Sequence, residues 1–243
     1  MDTPRPDHRV AALVALKPLP TAKSRLAELP DELRGRLARC MALDTIAALA
    51  AAVDEVLVIT DQPDFPAALL AHGISATVLA EPAAGSQDDQ PPAEGEASLN
   101  AALAYGDQVL RAAGLPIVLA CVGDLPALHA TSVRRILAGA AELAADDRPR
   151  SFVADHSGRG TTMVIAQGVA LDPRFGSGAG IGSADRHRRS GAAPIAAADI
   201  DDARWDVDTL ADLGAALGLG VGPATASLVD GVGAADLFGS SPG

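Results

Sequence analysis

The sequence predicts an α/β protein: three layers, αβα, around a mostly parallel sheet. Three observations carry this. Short apolar runs of strand length alternate along the chain with longer amphipathic runs of helix length. The connections between them are short, as successive β-α units require. Hydrophobic residues make up 49% of 243 residues while aromatics reach only 2%. The core is therefore sizeable and made of Ala, Leu and Val.

The elements follow in order. Val10 to Leu16 is a continuous apolar run, predicted as a buried first strand. Pro30-Asp31-Glu32 opens a helix with acids in its first turn, where the dipole favours them. Leu33, Leu37, Met41, Ile46 and Leu49 carry that helix toward Ala52. Val56 to Thr60 is a second buried strand, Asp61 to Asp64 a turn, and the short helix after it stops at Gly73. Ile74 to Leu79 alternates as a third strand. Gly85 to Gly95 is rich in Gly, Pro, Gln and acids, has no periodicity and is predicted as a mobile loop. A helix from Leu99 to Ala113 ends at Gly114, a left-handed cap. Ile117 to Val122 is the most apolar strand and is predicted to be central. A helix from Ser132 to Ala145 follows it.

Two strands, Phe152 to Asp155 and Thr162 to Ala166, flank a Gly-rich turn. Phe175 to Gly182 is a second Gly-rich loop. Ser183 is predicted to N-cap a short basic helix, Ala184 to Ser190. A weak strand, Pro194 to Ala198, leads to Trp205-Asp206-Val207-Asp208-Thr209 and a final helix, Leu210 to Leu217. The expected organisation is one domain over residues 10–217, an N-terminal extension over 1–9, and a low-complexity tail over 218–243 with little order.

The formal net charge of −12 opposes nonspecific binding to nucleic acid or anionic lipid. A nucleotide is still allowed, because a local cation cluster or a metal can meet its charge. Cys40 and Cys121 fall in apolar helix and strand patterns and are expected as reduced core thiols of a cytoplasmic chain. Met1 to Arg9 is polar, unlike a secretory signal, and no apolar run approaches membrane-span length.

Only two lysines occur, Lys17 and Lys23, in the loop after the first strand; every other cation is arginine. Open α/β sheets bind ligands at the carboxyl ends of their strands. A compact ammonium suits a phosphate oxygen and is not interchangeable with guanidinium. The pair therefore points to anion binding, against the plainer reading of two solvated loop residues. Gly123-Asp124-Leu125-Pro126 follows the central strand directly. Asp124 is a hard oxygen donor suited to Mg²⁺, or else a cap of the following turn. Asp206 and Asp208 share a side if the segment is extended. Asp206 is the expected metal partner of Asp124, and Asp208 the expected cap of the last helix; both being surface acids is the alternative. No Gly-x-Gly-x-x-Gly follows the first strand, no Walker A sequence occurs, and no Gly-x-Ser-x-Gly elbow follows a predicted strand. Among five histidines, His187 stands out beside Arg186, Arg188 and Arg189.

Val14 to Leu19, Ala22 to Leu26, Leu99-Asn100-Ala101-Ala102-Leu103, Gly123 to Pro126, Gly160-Thr161-Thr162, Phe175-Gly176, Ser183 to Ala192 and Asp206 to Thr209 are collinear. Together they resemble the 2-phospho-L-lactate / phosphoenolpyruvate guanylyltransferases of coenzyme F-420 biosynthesis. The resemblance implies a nucleotidyltransferase fold of the glycosyltransferase-A kind. It implies transfer of GMP from GTP to phosphoenolpyruvate or 2-phospho-L-lactate, with diphosphate released and, for the former acceptor, enolpyruvoyl-diphospho-guanosine formed. It further implies Mg²⁺ on Asp124 and Asp206 with Asp208 adjacent, and acceptor contacts from Thr161, Gly176 and Ser183. Arg188 or His187 is the expected partner of the acceptor carboxylate, a solvated basic face being the alternative. Lys17, Lys23 and Arg25 are the expected triphosphate clamp, with Asn100 on the nucleotide. A homodimer, or assembly with another enzyme of the pathway, fits the same expectation. The loop over 85–97 and Ser98, where the family has glycine, depart from the pattern near the expected base site. The competing readings are another Mg²⁺-dependent nucleotidyltransferase, with a molybdopterin or sugar-phosphate acceptor, and a nucleotide-binding module without turnover.

Overall fold

The computed structural model describes residues 9–16, 26, 28–81, 96–176, 180–233 and 237. Lys17, Lys23 and Arg25 lie outside them, as do the loop over 85–95 and the N-terminal residues 1–8. The strands are β1 (Val10–Ala15), β2 (Glu55–Ile59), β3 (Thr77–Leu79), β4 (Ile117–Cys121), β5 (Arg150–Ala154), β6 (Thr161–Gln167) and β7 (Ala193–Pro194). The helices are α1 (Asp31–Ala50), α2 (Phe65–Ala71), α3 (Glu96–Ala112), α4 (Ala130–Ala145), α5 (Ser183–Arg189), α6 (Leu210–Leu219) and α7 (Pro223–Val232).

One seven-stranded sheet runs β3-β2-β1-β4-β6-β5-β7. It is parallel except for β6, which pairs antiparallel with both β4 and β5. β4 is central, as its apolar sequence predicts. Val14 of β1 lies opposite Cys121 of β4, so both strands deliver their following loops to the same edge. Because β6 is reversed, its first residue, Thr161, reaches that edge too, and Val122 N–H donates to the Thr162 carbonyl.

Alternation along β1 divides the core. Ala12 and Val14 face a cluster with Leu43 and Ile46 of α1 and Val133 and Ile136 of α4. Ala11 and Leu13 face the opposite cluster, with Leu103 and Leu110 of α3 and Ala184 of α5. These are the expected three layers. A third cluster joins Leu37 and Met41 of α1 to Val207, Leu213 of α6 and Leu228 of α7. No described helix is long and apolar enough to cross a membrane.

Several expectations change. The tail expected to have little order contains α7. Its first-turn amides, on Ala224 and Thr225, donate to the buried carboxylate of Asp44 at 2.9 and 2.8 Å. A carboxylate at a helix N-terminus satisfies orphan amides and opposes the helix dipole. The capping residue comes from α1, far away in sequence, so local composition conceals it. Thr209, not Asp208, caps α6, in a reciprocal capping box with Asp212. Gly182, not Ser183, is the N-cap of α5. The third strand is shorter than its pattern, because Ile74 N–H is taken by the Leu69 carbonyl at the end of α2. The strand expected over Pro194 to Ala198 pairs only at Ala193–Pro194.

Candidate active site

The site is built at the carboxyl edge of β1 and β4. Gly123 leaves β4 without the left-handed backbone that a turn glycine often takes. It sits close to β1 instead: a Cβ there would lie 2.5 Å from the tip of the Leu16 side chain, which would have to shift. Asp124 follows. Its carbonyl accepts from Val207 N–H at 3.0 Å, which joins the first acidic motif to the second. Val207 lies between Asp206 and Asp208, so the two expected metal-binding segments run side by side.

The second segment is held against the ends of β5 and β6. Thr162 Oγ1 donates to the Ala203 carbonyl at 2.7 Å. Arg204 donates through Nε to the Ala154 carbonyl and through Nη2 to the Asp155 carbonyl. In return, His156 N–H donates to the Arg204 carbonyl at 2.7 Å. The His156 ring stacks on Trp205 with centroids 4.3 Å apart. His156 Nδ1 lies 3.9 Å from Asp206 Oδ1, with both side chains partly exposed. Sequence reasoning missed His156 and Trp205, although the chain's one tryptophan directly precedes Asp206.

The expected acceptor residues meet beside this edge. Ser183 Oγ donates to Thr161 Oγ1 at 3.0 Å. Thr161 Oγ1 lies 3.1 Å from His187 Nδ1, and His187 Nε2 accepts from Arg174 N–H at 3.0 Å. Since Nε2 accepts, Nδ1 carries the proton and donates to Thr161. His187 is fully buried, packed by the rings of Phe152 and Phe175. Burial pushes its pKa down to about 4. With both ring nitrogens bonded inside the protein, His187 braces the loop before α5 and does not reach out to a ligand.

The loop before α5 is drawn onto the protein by groups the sequence assigned elsewhere or passed over. Asn100 of α3 makes two bonds with Phe175: Nδ2 donates to its carbonyl at 3.1 Å, and Oδ1 accepts its N–H at 2.8 Å. Arg186 donates to the carbonyls of Arg174, Phe175, Gly176 and Ile181. Asn100 thus holds the loop containing Gly176, a role its expected contact with the nucleotide did not foresee. Arg188 is partly exposed, pairs with Asp185 at 2.7 Å and lies over the Phe152 ring.

Gly182 lets α5 dock on the β5–β6 turn. A Cβ there would lie 2.1 Å from the Arg159 carbonyl oxygen, which accepts Ala184 N–H at 3.1 Å. Backbone cannot yield as a side-chain tip can. Gly182→Ala is expected to cost about 1–3 kcal/mol in stability and to weaken use of the acceptor more than use of the nucleotide. Urea melts with separate KM values for the two substrates check this; an unchanged acceptor KM would remove α5 from the site.

A mostly parallel sheet with one reversed strand, and two acidic segments joined at its carboxyl edge, fit a nucleotidyltransferase. Solved structures share the fold. A protein of Desulfovibrio desulfuricans G20, described as a nucleotide-diphospho-sugar transferase, superposes with a TM-score of 0.64 at 15% identity, covering 94% of this chain and 96% of that one. A nucleotidyl transferase of Methanothermobacter thermautotroptrophicus gives 0.51 at 20% identity, covering 87% and 98%. No family model matches the chain. Curated relatives do. The phosphoenolpyruvate guanylyltransferase of Mycobacterium sp. (strain KMS) is 44% identical over 222 residues, 90% of this chain and 91% of that protein. That of Streptomyces scabiei (strain 87.22) is 43% identical over 220 residues, 88% and 93% respectively. The chain belongs to the phosphoenolpyruvate guanylyltransferase family.

Proposed function

We propose that this chain transfers the guanylyl group of GTP to the phosphate of phosphoenolpyruvate, forming enolpyruvoyl-2-diphospho-5′-guanosine and diphosphate. The observation that carries the reading is the bond from Val207 N–H to the Asp124 carbonyl, which joins the two acidic motifs through the backbone. The substrates are those for which the relatives at 43–44% identity are named.

Asp124 and Asp206, with Asp208 two residues on, are hard oxygen donors on adjoining segments. Mg²⁺ takes one or two such carboxylates from a protein and completes its shell with phosphate and water. Among the described residues no group of three His, Cys, Asp or Glu side chains forms a metal cluster. Bound there, Mg²⁺ supplies charge neutralisation at the α-phosphate.

The chain's own residues then position two anions. Lys17, Lys23 and Arg25 clamp the β- and γ-phosphates and stabilise the departing diphosphate. The acceptor phosphate is already an anionic nucleophile, so no general base is needed, and positioning carries most of the rate. Its oxygen attacks the α-phosphorus as the bond to the β-phosphate oxygen breaks, and the electron pair leaves with diphosphate. Thr161 Oγ1 accepts from Ser183 and His187, which turns its own proton toward an acceptor oxygen. Gly176 and Ser183 shape that pocket, and Arg188 meets the acceptor carboxylate.

The test is mass spectrometry of products from GTP and Mg²⁺ with phosphoenolpyruvate or 2-phospho-L-lactate, run beside CTP and ATP. The guanylylated enolpyruvoyl product should dominate, with GTP preferred at least about tenfold, a difference of one pocket contact. Preference for CTP, or for 2-phospho-L-lactate, would replace the substrate assignment. GTP binding with no diphosphate released for any acceptor would mark a module without turnover.

A further inference from the structure

We propose that Thr45 is a positioning residue for Asp124, acting through the peptide group that joins Asp124 to Leu125. That peptide is held at both ends. Its carbonyl accepts from Val207 N–H at 3.0 Å. Its N–H, that of Leu125, donates to Thr45 Oγ1, also at 3.0 Å. Thr45 is itself fixed, because it is fully buried on α1 and its hydroxyl donates to the Met41 carbonyl at 2.8 Å. The hydroxyl is therefore used twice, once as donor and once as acceptor, and its rotor has one setting.

The consequence is geometric. The Asp124 carboxylate hangs from the Cα at one end of this peptide. Rotation of the peptide about its flanking bonds would swing that carboxylate relative to Asp206 and Asp208, whose own segment is attached to the same peptide through Val207. Thr45 on one side and Val207 on the other hold the plane and, with it, the separation of the two acidic motifs. Further bonds brace the region: Gly222 N–H donates to the Pro126 carbonyl at 2.8 Å, and Asp44, beside Thr45, caps α7. A helical Thr commonly bonds the carbonyl four residues back. The acceptance of a loop amide from the opposite side is what gives this one a role beyond α1.

The inference rests on the reading of Asp124 as a metal-binding carboxylate. Thr45→Val keeps shape and removes the hydroxyl; Thr45→Ser keeps the hydroxyl. The probe is Mn²⁺ binding to the whole protein with α,β-methylene GTP, followed by electron paramagnetic resonance, alongside the Mg²⁺ dependence of turnover and thermal melts. Thr45→Val should raise the Mn²⁺ dissociation constant and the half-saturating Mg²⁺ concentration by about tenfold or more, consistent with the cost of small displacements in a preorganised site. The KM for phosphoenolpyruvate should stay within about twofold, and Thr45→Ser should recover most of the affinity. Should Thr45→Val fail to fold, Thr45→Cys serves, with its weaker sulfur acceptor. A folded Val or Cys variant that binds Mn²⁺ as the parent does overturns the proposal, as does a Ser variant no better than Val. If the parent protein itself binds no Mn²⁺ with the analogue, the metal reading of Asp124 falls first, and the two failures are distinguished.

Discussion

Asp124→Asn is expected to lower guanylyl transfer by about a thousandfold or more while leaving the fold intact. Asn has the same shape, and the backbone bonds of this residue do not depend on its side-chain charge. The carbonyl that accepts from Val207, and the following amide that donates to Thr45, are unchanged by the substitution. What is lost is one negative charge at the carboxyl end of β4. Charge stabilisation by a metal at a phosphoryl centre is worth several kcal/mol, and each 1.36 kcal/mol is tenfold in rate, so three decades follow. Diphosphate release at saturating substrates gives the effect, with circular dichroism and a melt as the control. Near-normal turnover in a folded variant would remove Asp124 from the metal site.

The second large effect is loss of stability in acid, centred on His187. Burial is the main cause of its lowered pKa, about 4 against an ordinary 6.5. The backbone of Ser183 and the charge of Asp172 oppose the shift, and Arg186 and Arg174 add to it. The hydrogen bonds point the same way: protonated Nε2 would face the Arg174 N–H donor to donor. The unfolded chain therefore takes up the proton first. This contribution to stability is complete above about pH 6.5, falls as pH drops toward 4, and is spent below it, for a total on the order of 3 kcal/mol. In His187→Gln the dependence between pH 7.5 and 4.5 should flatten by about 2–3 kcal/mol, although the variant starts less stable. Urea unfolding at both pH values measures it; equal slopes in parent and variant would mean that His187 is not the group responsible.

The local pattern was enough where burial is two-sided. β1, β2 and β4 are near-continuous apolar runs because both faces are covered, and they lie where their runs do. The same signal failed at the short edge pairings β3 and β7, where a turn or a single neighbour decides the length. At Trp205 to Thr209, alternation put Asp206 and Asp208 on one side of an extended segment, but what pins that segment is the Asp124 carbonyl and Thr209 at the head of α6. Gly182 took the cap expected of Ser183, since only a residue without Cβ fits against the Arg159 carbonyl. That left the Ser183 hydroxyl to turn inward to Thr161.

Period and residue type within the chain settled the layers, the central strand and the identity of the acids at the sheet edge, because strand and helix periods and hard oxygen donors are properties of short stretches. Which of those groups meet was decided only in three dimensions. Thr45 and Leu125, Asp44 and α7, Asn100 and Phe175, and His187 and Arg174 are distant in sequence or joined through backbone atoms that no residue letter reports. Buried polar groups must find partners, and the packed fold, not the local sequence, determines which partners lie within 3 Å or so.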